Sequence, residues 1–268
     1  MFPELFNLGP IPVYSYGVLL AVSYLIGLRL AMWRAKRWGL NANQVLDLGI
    51  YIIIAALVGA KLLLVIVDPG AYLTSFEAFV SLLRSGGVFY GGLILAVVVA
   101  FWYIAKHRMP FWRTCDVFAP AIALGHITGR LGCLAAGCCY GKPTDVAWAI
   151  TFTNPLAANV GTPLGIPLHP TQLYEAGAAL LILAFLLATE RRGRAFAGRT
   201  FWLYMLLYAV SRFIIEIYRG DPRGIVLGFS TSQFISLVLG PLSLLMLVYL
   251  ARTSPTVPDA AVGRKRVA

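Results

Sequence analysis

The segment YAVSRFIIEIYR, residues 208–219, holds side chains whose types and spacing could do chemistry. Tyr208, Arg212 and Glu216 recur every four residues, and Arg219 follows three later. On a helix of 3.6 residues per turn this spacing predicts one polar stripe about 16 Å long. A guanidinium and a carboxylate four apart can form an internal ion pair that only joins helices. The phenol and the second arginine on the same face favour a polar cavity instead. Arg130 poses a similar question in GHITGRLGC, residues 125–133, where Gly125, Gly129 and Gly132 surround it and Gly137 and Gly141 follow. Glycines four apart let helix backbones approach closely, and they permit turns and close contact with a ligand. They do not account for an arginine among them. A guanidinium in that place suits a phosphate or carboxylate, gripped through two parallel hydrogen bonds.

The elements that must position these residues are membrane helices. Of 268 residues, 59% are hydrophobic and 12% charged, whereas soluble domains are roughly a quarter charged. Apolar runs near 13–33, 45–67, 88–105, 115–134, 172–189, 200–218 and 231–251 approach the length of about 20 residues that spans a bilayer. The expected fold is therefore an all-α integral membrane protein, one bundle of about seven transmembrane helices without repeats. The net charge of +11 is not a nucleic-acid patch. Arg34, Lys36 and Arg37 follow the first run, and Lys106, Arg108 and Arg113 the third. Arg191, Arg192, Arg194 and Arg199 follow the fifth, and Arg252, Arg264, Lys265 and Arg266 the seventh. These are fourteen of the 22 basic residues, and all lie beyond odd-numbered runs. Because basic loops stay cytoplasmic, the N-terminus is expected outside and the C-terminus inside. No cleavable signal is read at the start, and MFPELFNLGPIPVYS is expected to lie at the outer interface.

Other ionisable residues within apolar runs need a reason, since each costs on the order of 3 kcal/mol at a helix centre. Arg29 is expected to snorkel inward. Lys61, near Asp68, is expected to snorkel or pair. Glu175 stands one turn inside LHPTQLYEA, residues 168–176, and reads first as helix-dipole complementarity after a Thr171 N-cap, with His169 and Pro170 just outside. In SGGVFYGGL, residues 85–93, two glycine pairs imply a bent, re-entrant or closely packed helix start, and Tyr90 is either an interfacial aromatic or part of a site. Residues 135–171 are expected to form a small external cap, with a short strand in AWAITF. A flexible cytoplasmic tail is expected over 252–268. The cysteines Cys115, Cys133, Cys138 and Cys139 match no zinc spacing, so no metal or cofactor is expected. Cys133 with Cys138 or Cys139 could form a disulfide, or all could be packed thiols.

Taken in order, YSYG (14–17), FYGGLI (89–94), GRLG (129–132), the Gly141 turn, HPTQLYE (169–175) and Tyr208-x-x-x-Arg212-x-x-x-Glu216 resemble the bacterial prolipoprotein diacylglyceryl transferase family over essentially the whole chain. The resemblance implies transfer of diacylglyceryl from phosphatidylglycerol to the lipobox cysteine of a preprolipoprotein, at the outer face of the cytoplasmic membrane. It implies that Arg130 binds the lipid phosphate and that Arg212 and Glu216 are an essential charged pair. Tyr16, Tyr208 and Gly141 match further important positions, and Arg219 and His169 are expected at the substrate. Tyr90 is expected among the catalytic residues, although the family commonly has histidine there. Leu95 and Cys133 replace a glycine and an asparagine. The expected partners are phosphatidylglycerol, lipobox signal peptides and the bilayer. The chemistry fits independently, because arginines favour a thiolate and stabilise a departing phosphate ester. The competing class is a transporter of a small anion or lipid headgroup compound, which the missing inverted repeat and the apolar inner halves of the later spans disfavour. An intramembrane hydrolase ranks behind it for want of a Ser–His pair or paired aspartates.

Overall fold

In the computed structural model, residues 3–8, 11–72, 74–84, 87–190 and 196–254 are described. Ser85 and Gly86 of the glycine-flanked motif, the basic residues Arg191, Arg192 and Arg194, and the tail beyond residue 254 lie outside them. The chain forms two compact units, residues 39–114 and the remainder.

In the smaller unit, α2 (Ala42–Val67) and α5 (Phe89–Lys106) pack against each other, with the short helices α3 (Pro69–Tyr72) and α4 (Phe76–Arg84) between them in sequence. Of the three readings of SGGVFYGGL, close packing is the one found. A Cβ on Gly91 would strike the Gly59 carbonyl, and one on Gly92 would lie 2.7 Å from the Ala56 oxygen. Lys61 donates to the Leu82 carbonyl at 2.8 Å, while Asp68 accepts from the Ala71 amide at 3.0 Å.

The larger unit opens with a hairpin that the sequence reading left as an interfacial segment. Strand β1 (Glu4–Leu8) pairs antiparallel with β2 (Ile11–Tyr14) and leads into α1 (Ser15–Arg37). Helix α6 (Phe111–Ala136) is followed by β3 (Ile150–Thr151), a 3-10 turn (Pro155–Val160) and β4 (Pro167–Leu168). The strand expected in AWAITF is β3, paired antiparallel with β4. Tyr140, Phe152 and Leu168 form the small core of this segment. Helices α7 (Thr171–Glu190) and α8 (Arg199–Glu216) come next, then the hairpin β5 (Ile225–Val226) and β6 (Phe229–Ser230), and α9 (Thr231–Thr253). Ala119 and Ala123 of α6, Ile182 and Leu186 of α7 and Tyr204 of α8 make the core of this unit.

Seven of these helices, α1, α2 and α5 to α9, have 18 residues or more, and six are long and apolar enough to cross a membrane. The protein is an all-α membrane protein. The exception is α8, whose Arg199, Arg212 and Glu216 make it too polar.

Arg34 corrects its reading as a topology charge on the surface. It is only 2% exposed and pairs with Glu190 of α7. The cause lies in α6, where Pro120 has no N–H to offer the carbonyl of Asp116, four residues earlier. Arg34 supplies the missing donors: its Nη2 reaches the Asp116 carbonyl at 2.9 Å and its Nε the Val117 carbonyl at 3.1 Å. The Asp116 side chain in turn accepts from the amides of Gly198 (2.6 Å) and Phe201 (2.9 Å), doing for the start of α8 what an N-cap residue does locally. Removing one member of a buried pair strands its partner's charge. We expect Arg34→Ala to lower stability by about 3–5 kcal/mol, read from denaturation in micelles, against about 0.5 kcal/mol or less for the exposed neighbour Lys36→Ala.

Candidate active site

A second group of polar residues in the larger unit gathers at the opposite helix ends from Arg34 and Glu190. Glu175, in the first turns of α7, is the centre. Its Oε2 pairs with Arg130 Nε at 2.7 Å, and its Oε1 with Arg212 Nη1 at 2.7 Å and Arg219 Nη1 at 2.9 Å. The side chain is 7% exposed. One carboxylate thus joins guanidinium groups from the end of α6, the last turns of α8 and the turn after it. This overturns the reading of Glu175 as a dipole complement. Thr171 is also not an N-cap: it lies within α7, and its hydroxyl donates to the Cys139 carbonyl at 2.8 Å.

A second shell of charge surrounds Arg212 and Arg219. Arg212 Nη2 meets Glu216 Oε2 at 2.7 Å, but off the hydrogen-bond axis, so that oxygen has a charge contact without a hydrogen bond. The other Glu216 oxygen accepts from Ser230 at 2.9 Å, and Arg212 donates to Ser232 at 3.0 Å, which ties the pair to the start of α9. Ser230 and Gln233 form a capping box there. The stripe predicted on α8 stops at Glu216, where the helix ends, and Arg219 arrives by way of a turn. It holds Asp221 with two hydrogen bonds of 2.7 and 2.8 Å. Burial alone would push Asp221 up, but Arg219 and Arg223 outweigh it and hold the carboxyl below its usual range.

Arg130 differs from the other two. It is 20% exposed, and its single ion pair uses Nε. Its terminal Nη groups make no hydrogen bond among the described residues. Arg130 also lines the cleft beside the cluster.

A narrow cleft adjoins the cluster, lined by His126, Arg130, Glu175, Tyr208 and Arg212. Its closed part has room for about one water molecule. His126 is the residue that the sequence reading missed. It stands one turn before Arg130 on α6, and its Nδ1 lies 2.8 Å from the Tyr204 hydroxyl. Its ring is 5.0 Å from that of Tyr208. The available signal was its i, i+4 spacing to Arg130.

The remaining candidates fall in different places. Tyr16, on α1, reaches the cluster side of α6: a Cβ on Gly132 would lie 3.2 Å from its ring. Gly141 is buried where chains cross, because a Cβ there would strike the His169 carbonyl and lie 2.9 Å from the Tyr218 oxygen. Lys142 N donates to Tyr218 O at 2.8 Å and Gly220 N to Tyr140 O at 3.1 Å, so this crossing sets the position of Arg219. The ring contacts of His169 are Tyr174 and Tyr218, with Nδ1 3.1 Å from the Tyr174 hydroxyl. Its backbone, through Gly141, serves the site more directly than its imidazole. Tyr90 belongs to the smaller unit, in the first turn of α5, about half exposed and edge-on to Phe89. Cys115, Cys133, Cys138 and Cys139 are all free thiols, which removes the disulfide.

A family model described as prolipoprotein diacylglyceryl transferase matches residues 3–249. The chain belongs to the prolipoprotein diacylglyceryl transferase family. As a member of this diacylglyceryl transferase family it is a multi-pass membrane transferase. It is 39% identical over 237 residues to a phosphatidylglycerol–prolipoprotein diacylglyceryl transferase of Clostridium tetani, covering 88% of this chain and 93% of the relative. A relative of the same activity, numbered 2, from Clostridium perfringens is 31% identical, covering 88% and 89% of the two chains. One from a Nostoc species is 30% identical, covering 98% and 94%. The site of this diacylglyceryl transferase family member thus brings Arg130, Tyr208, Arg212 and Glu216 into one cluster and adds Glu175 and His126 to them.

The crossing at Gly141 gives a local test. Gly141→Ala must displace the backbone that carries Arg219, and a shift near 1 Å in a site can cost about 100-fold in rate. We expect at least a tenfold loss of transfer activity on that basis, with the protein still extracted as a folded species. Unchanged activity in Gly141→Ala would show that the crossing does not set the site.

Proposed function

We propose that the chain transfers the diacylglyceryl group of phosphatidylglycerol to the cysteine thiol of a preprolipoprotein lipobox, at the outer face of the bacterial cytoplasmic membrane. The observation that carries this reading is Arg130. In a member of this family, its terminal nitrogens stand uncommitted beside a cluster that otherwise satisfies its own charges. A phosphodiester headgroup is the anion that fits a planar fork open on one side. The side of the membrane follows from charge. The cluster lies at the ends of α6 and α8 and the starts of α7 and α9, and the opposite ends carry Lys36, Arg37, Arg199 and Arg252. Basic ends stay in the cytoplasm. We take the two units as one membrane domain, with residues 135–171 as its outer cap.

In this reading Arg130 holds the phosphate of the lipid. Arg212 and Arg219 add positive charge behind Glu175, while Glu216 orients Arg212 and is itself held by Ser230. The lipobox sulfur attacks the terminal glyceryl carbon of the diacylglyceryl group. A C–S bond forms, the C–O bond to phosphate breaks, and its electron pair leaves with glycerol phosphate. Guanidinium groups stabilise the charge gathering on that leaving group. The thiol proton passes to His126, a neutral base on the cleft wall whose Nδ1 is engaged by Tyr204. Tyr16 and Tyr208 position the headgroup. No step requires a cofactor.

The test is purified protein in phosphatidylglycerol micelles with a lipobox peptide, followed by mass spectrometry. A peptide heavier by one diacylglyceryl unit, absent when its cysteine is serine, supports the reading. No adduct from folded protein overturns it. In the same assay His126→Gln is expected to lower kcat by about 100-fold or more, the usual contribution of a general base. Raising the pH, which ionises the peptide thiol beforehand, should narrow that gap, and a gap independent of pH would remove His126 from proton transfer.

A further inference from the structure

The three cysteines after Arg130 have no part in the transfer. Yet the fold brings Cys133, Cys138 and Cys139 together, their sulfurs all within 4.8 Å of one another. Cys133 is the last but three residue of α6, and the chain then doubles back to set two further thiols beside it. That reversal is unusual in its construction. Gly137 takes φ +85°, and Cys139 takes φ +63°, a left-handed conformation that a residue with a Cβ rarely adopts. Three successive carbonyls are pinned by side chains from elsewhere. Thr162 donates to Gly137 O, Gln172 to Cys138 O at 2.7 Å, and Thr171 to Cys139 O at 2.8 Å. Cys139 is therefore held in a conformation that it does not favour, and what the turn achieves is the convergence of three sulfurs.

We infer that Cys133, Cys138 and Cys139 form a binding site for one thiophilic divalent cation, zinc being the typical member, with the fourth position left to water. Tetrahedral zinc at about 2.3 Å from each sulfur places the sulfurs about 3.8 Å apart, so the observed cluster needs only small side-chain rotations to close on an ion. A disulfide would employ two of the three thiols, and all three are free. Positive charge also stands beside the cluster. The guanidinium groups of Arg130 and Arg219 lie near the clustered sulfurs. Three thiolates and a divalent ion leave one net negative charge, which these guanidinium groups offset. A separate observation points to a ligand. Gln172 is fully buried and gives its Nε2 to the thiol turn, but its Oε1 has no hydrogen-bond partner among the described residues. A water on the bound ion would donate to it. Cys138 and Cys139 are only partly buried, so an ion has a way in. The linear spacing hid the site because it matches no common zinc pattern. The glycine turn, rather than a helix or a paired knuckle, does the gathering.

The experiment uses the full chain in detergent, reduced, kept anaerobic and freed of metal with a chelator, and titrated with cobalt(II). One equivalent should produce thiolate-to-cobalt charge-transfer absorption, and excess zinc should abolish it. Cys133→Ser, Cys138→Ser and Cys139→Ser should each weaken cobalt binding by about 100-fold or more, beyond the loss usual for an outer-shell change; Cys115→Ser should leave it unchanged. Should a serine variant fail to fold, the wild-type protein still decides the matter. Zinc must slow alkylation of the three clustered thiols and not of Cys115 in unfolded-then-digested peptide maps. No charge-transfer band from the folded, reduced protein, or a band that survives all three substitutions, overturns the site. So does zinc-independent alkylation. None of these outcomes bears on the transfer reaction, which is measured separately.

Discussion

Arg130→Ala will abolish diacylglyceryl transfer and leave a folded membrane protein. Both halves of this expectation come from the same geometry. Arg130 is the most exposed of the three arginines around Glu175 and contributes one ion pair, so its loss leaves Glu175 still paired with Arg212 and Arg219. The cost to stability should stay near 1 kcal/mol, the scale of a part-exposed pair. In the proposed reading the reaction loses its phosphate grip altogether. Removing one donor that stabilises transition-state charge costs about 100- to 1,000-fold in rate, and Arg130 offers a fork with two. We therefore expect a loss of at least about 1,000-fold. Arg130→Lys should recover little, since an ammonium keeps the charge and lacks the planar pair of donors. The mass-spectrometric transfer assay, run beside a thermal unfolding scan, checks this directly. Substantial activity in Arg130→Ala would remove the residue from the phosphate site.

Glu175→Gln should do the reverse and damage the fold as well as the reaction. Its carboxylate is the shared counter-ion of three guanidinium groups, two of them almost wholly buried. An amide of the same shape keeps the packing and removes the charge, which leaves Arg212 and Arg219 facing each other with too little negative charge between them. Breaking a buried ion pair by removing one partner costs about 3–5 kcal/mol, and here more than one pair is broken. The expected result is a large fall in the midpoint of unfolding in micelles and no detectable transfer. Glu175→Asp, shorter by one methylene but still charged, should fall between wild type and Glu175→Gln in stability. A Glu175→Gln protein with wild-type stability would mean that the arginines can part without consequence, and the cluster would then have to be redrawn.

Which polar residues gather was partly legible in the sequence. Tyr208, Arg212 and Glu216 share one helix, and helical periodicity alone places them on one face. Arg130 declared itself by being charged in an apolar, glycine-rich run. The long helices were legible for the same reason, because the bilayer imposes a length that hydropathy records. Glu175 was misread because its partners come from α6, α8 and the following turn, and no spacing along α7 reports on them. Thr171 was misread in the same way, since a hydroxyl at a helix start looks like a cap until the Cys139 carbonyl is seen beside it. His126 was passed over because its significance depends on Tyr204 and Tyr208 of another helix. The cysteines could not be judged from spacing, as a turn with two left-handed residues can gather thiols that no regular element would bring together.

Arg34 was read as a membrane-topology charge, and its actual position has a consequence for inheritance. Pro120 leaves a carbonyl on α6 without a donor, Arg34 supplies one from α1, and Glu190 of α7 balances the charge this brings inside. No one of the three residues can be exchanged freely while the other two remain. A lineage that regained an ordinary residue at position 120 would carry an arginine with nothing to serve, and one that lost Glu190 would carry a buried cation. These positions should therefore change together among related chains or not at all. Arg34 would then drop out of the count of charges that orient the protein, and Lys36 and Arg37 would carry that task at this end of α1.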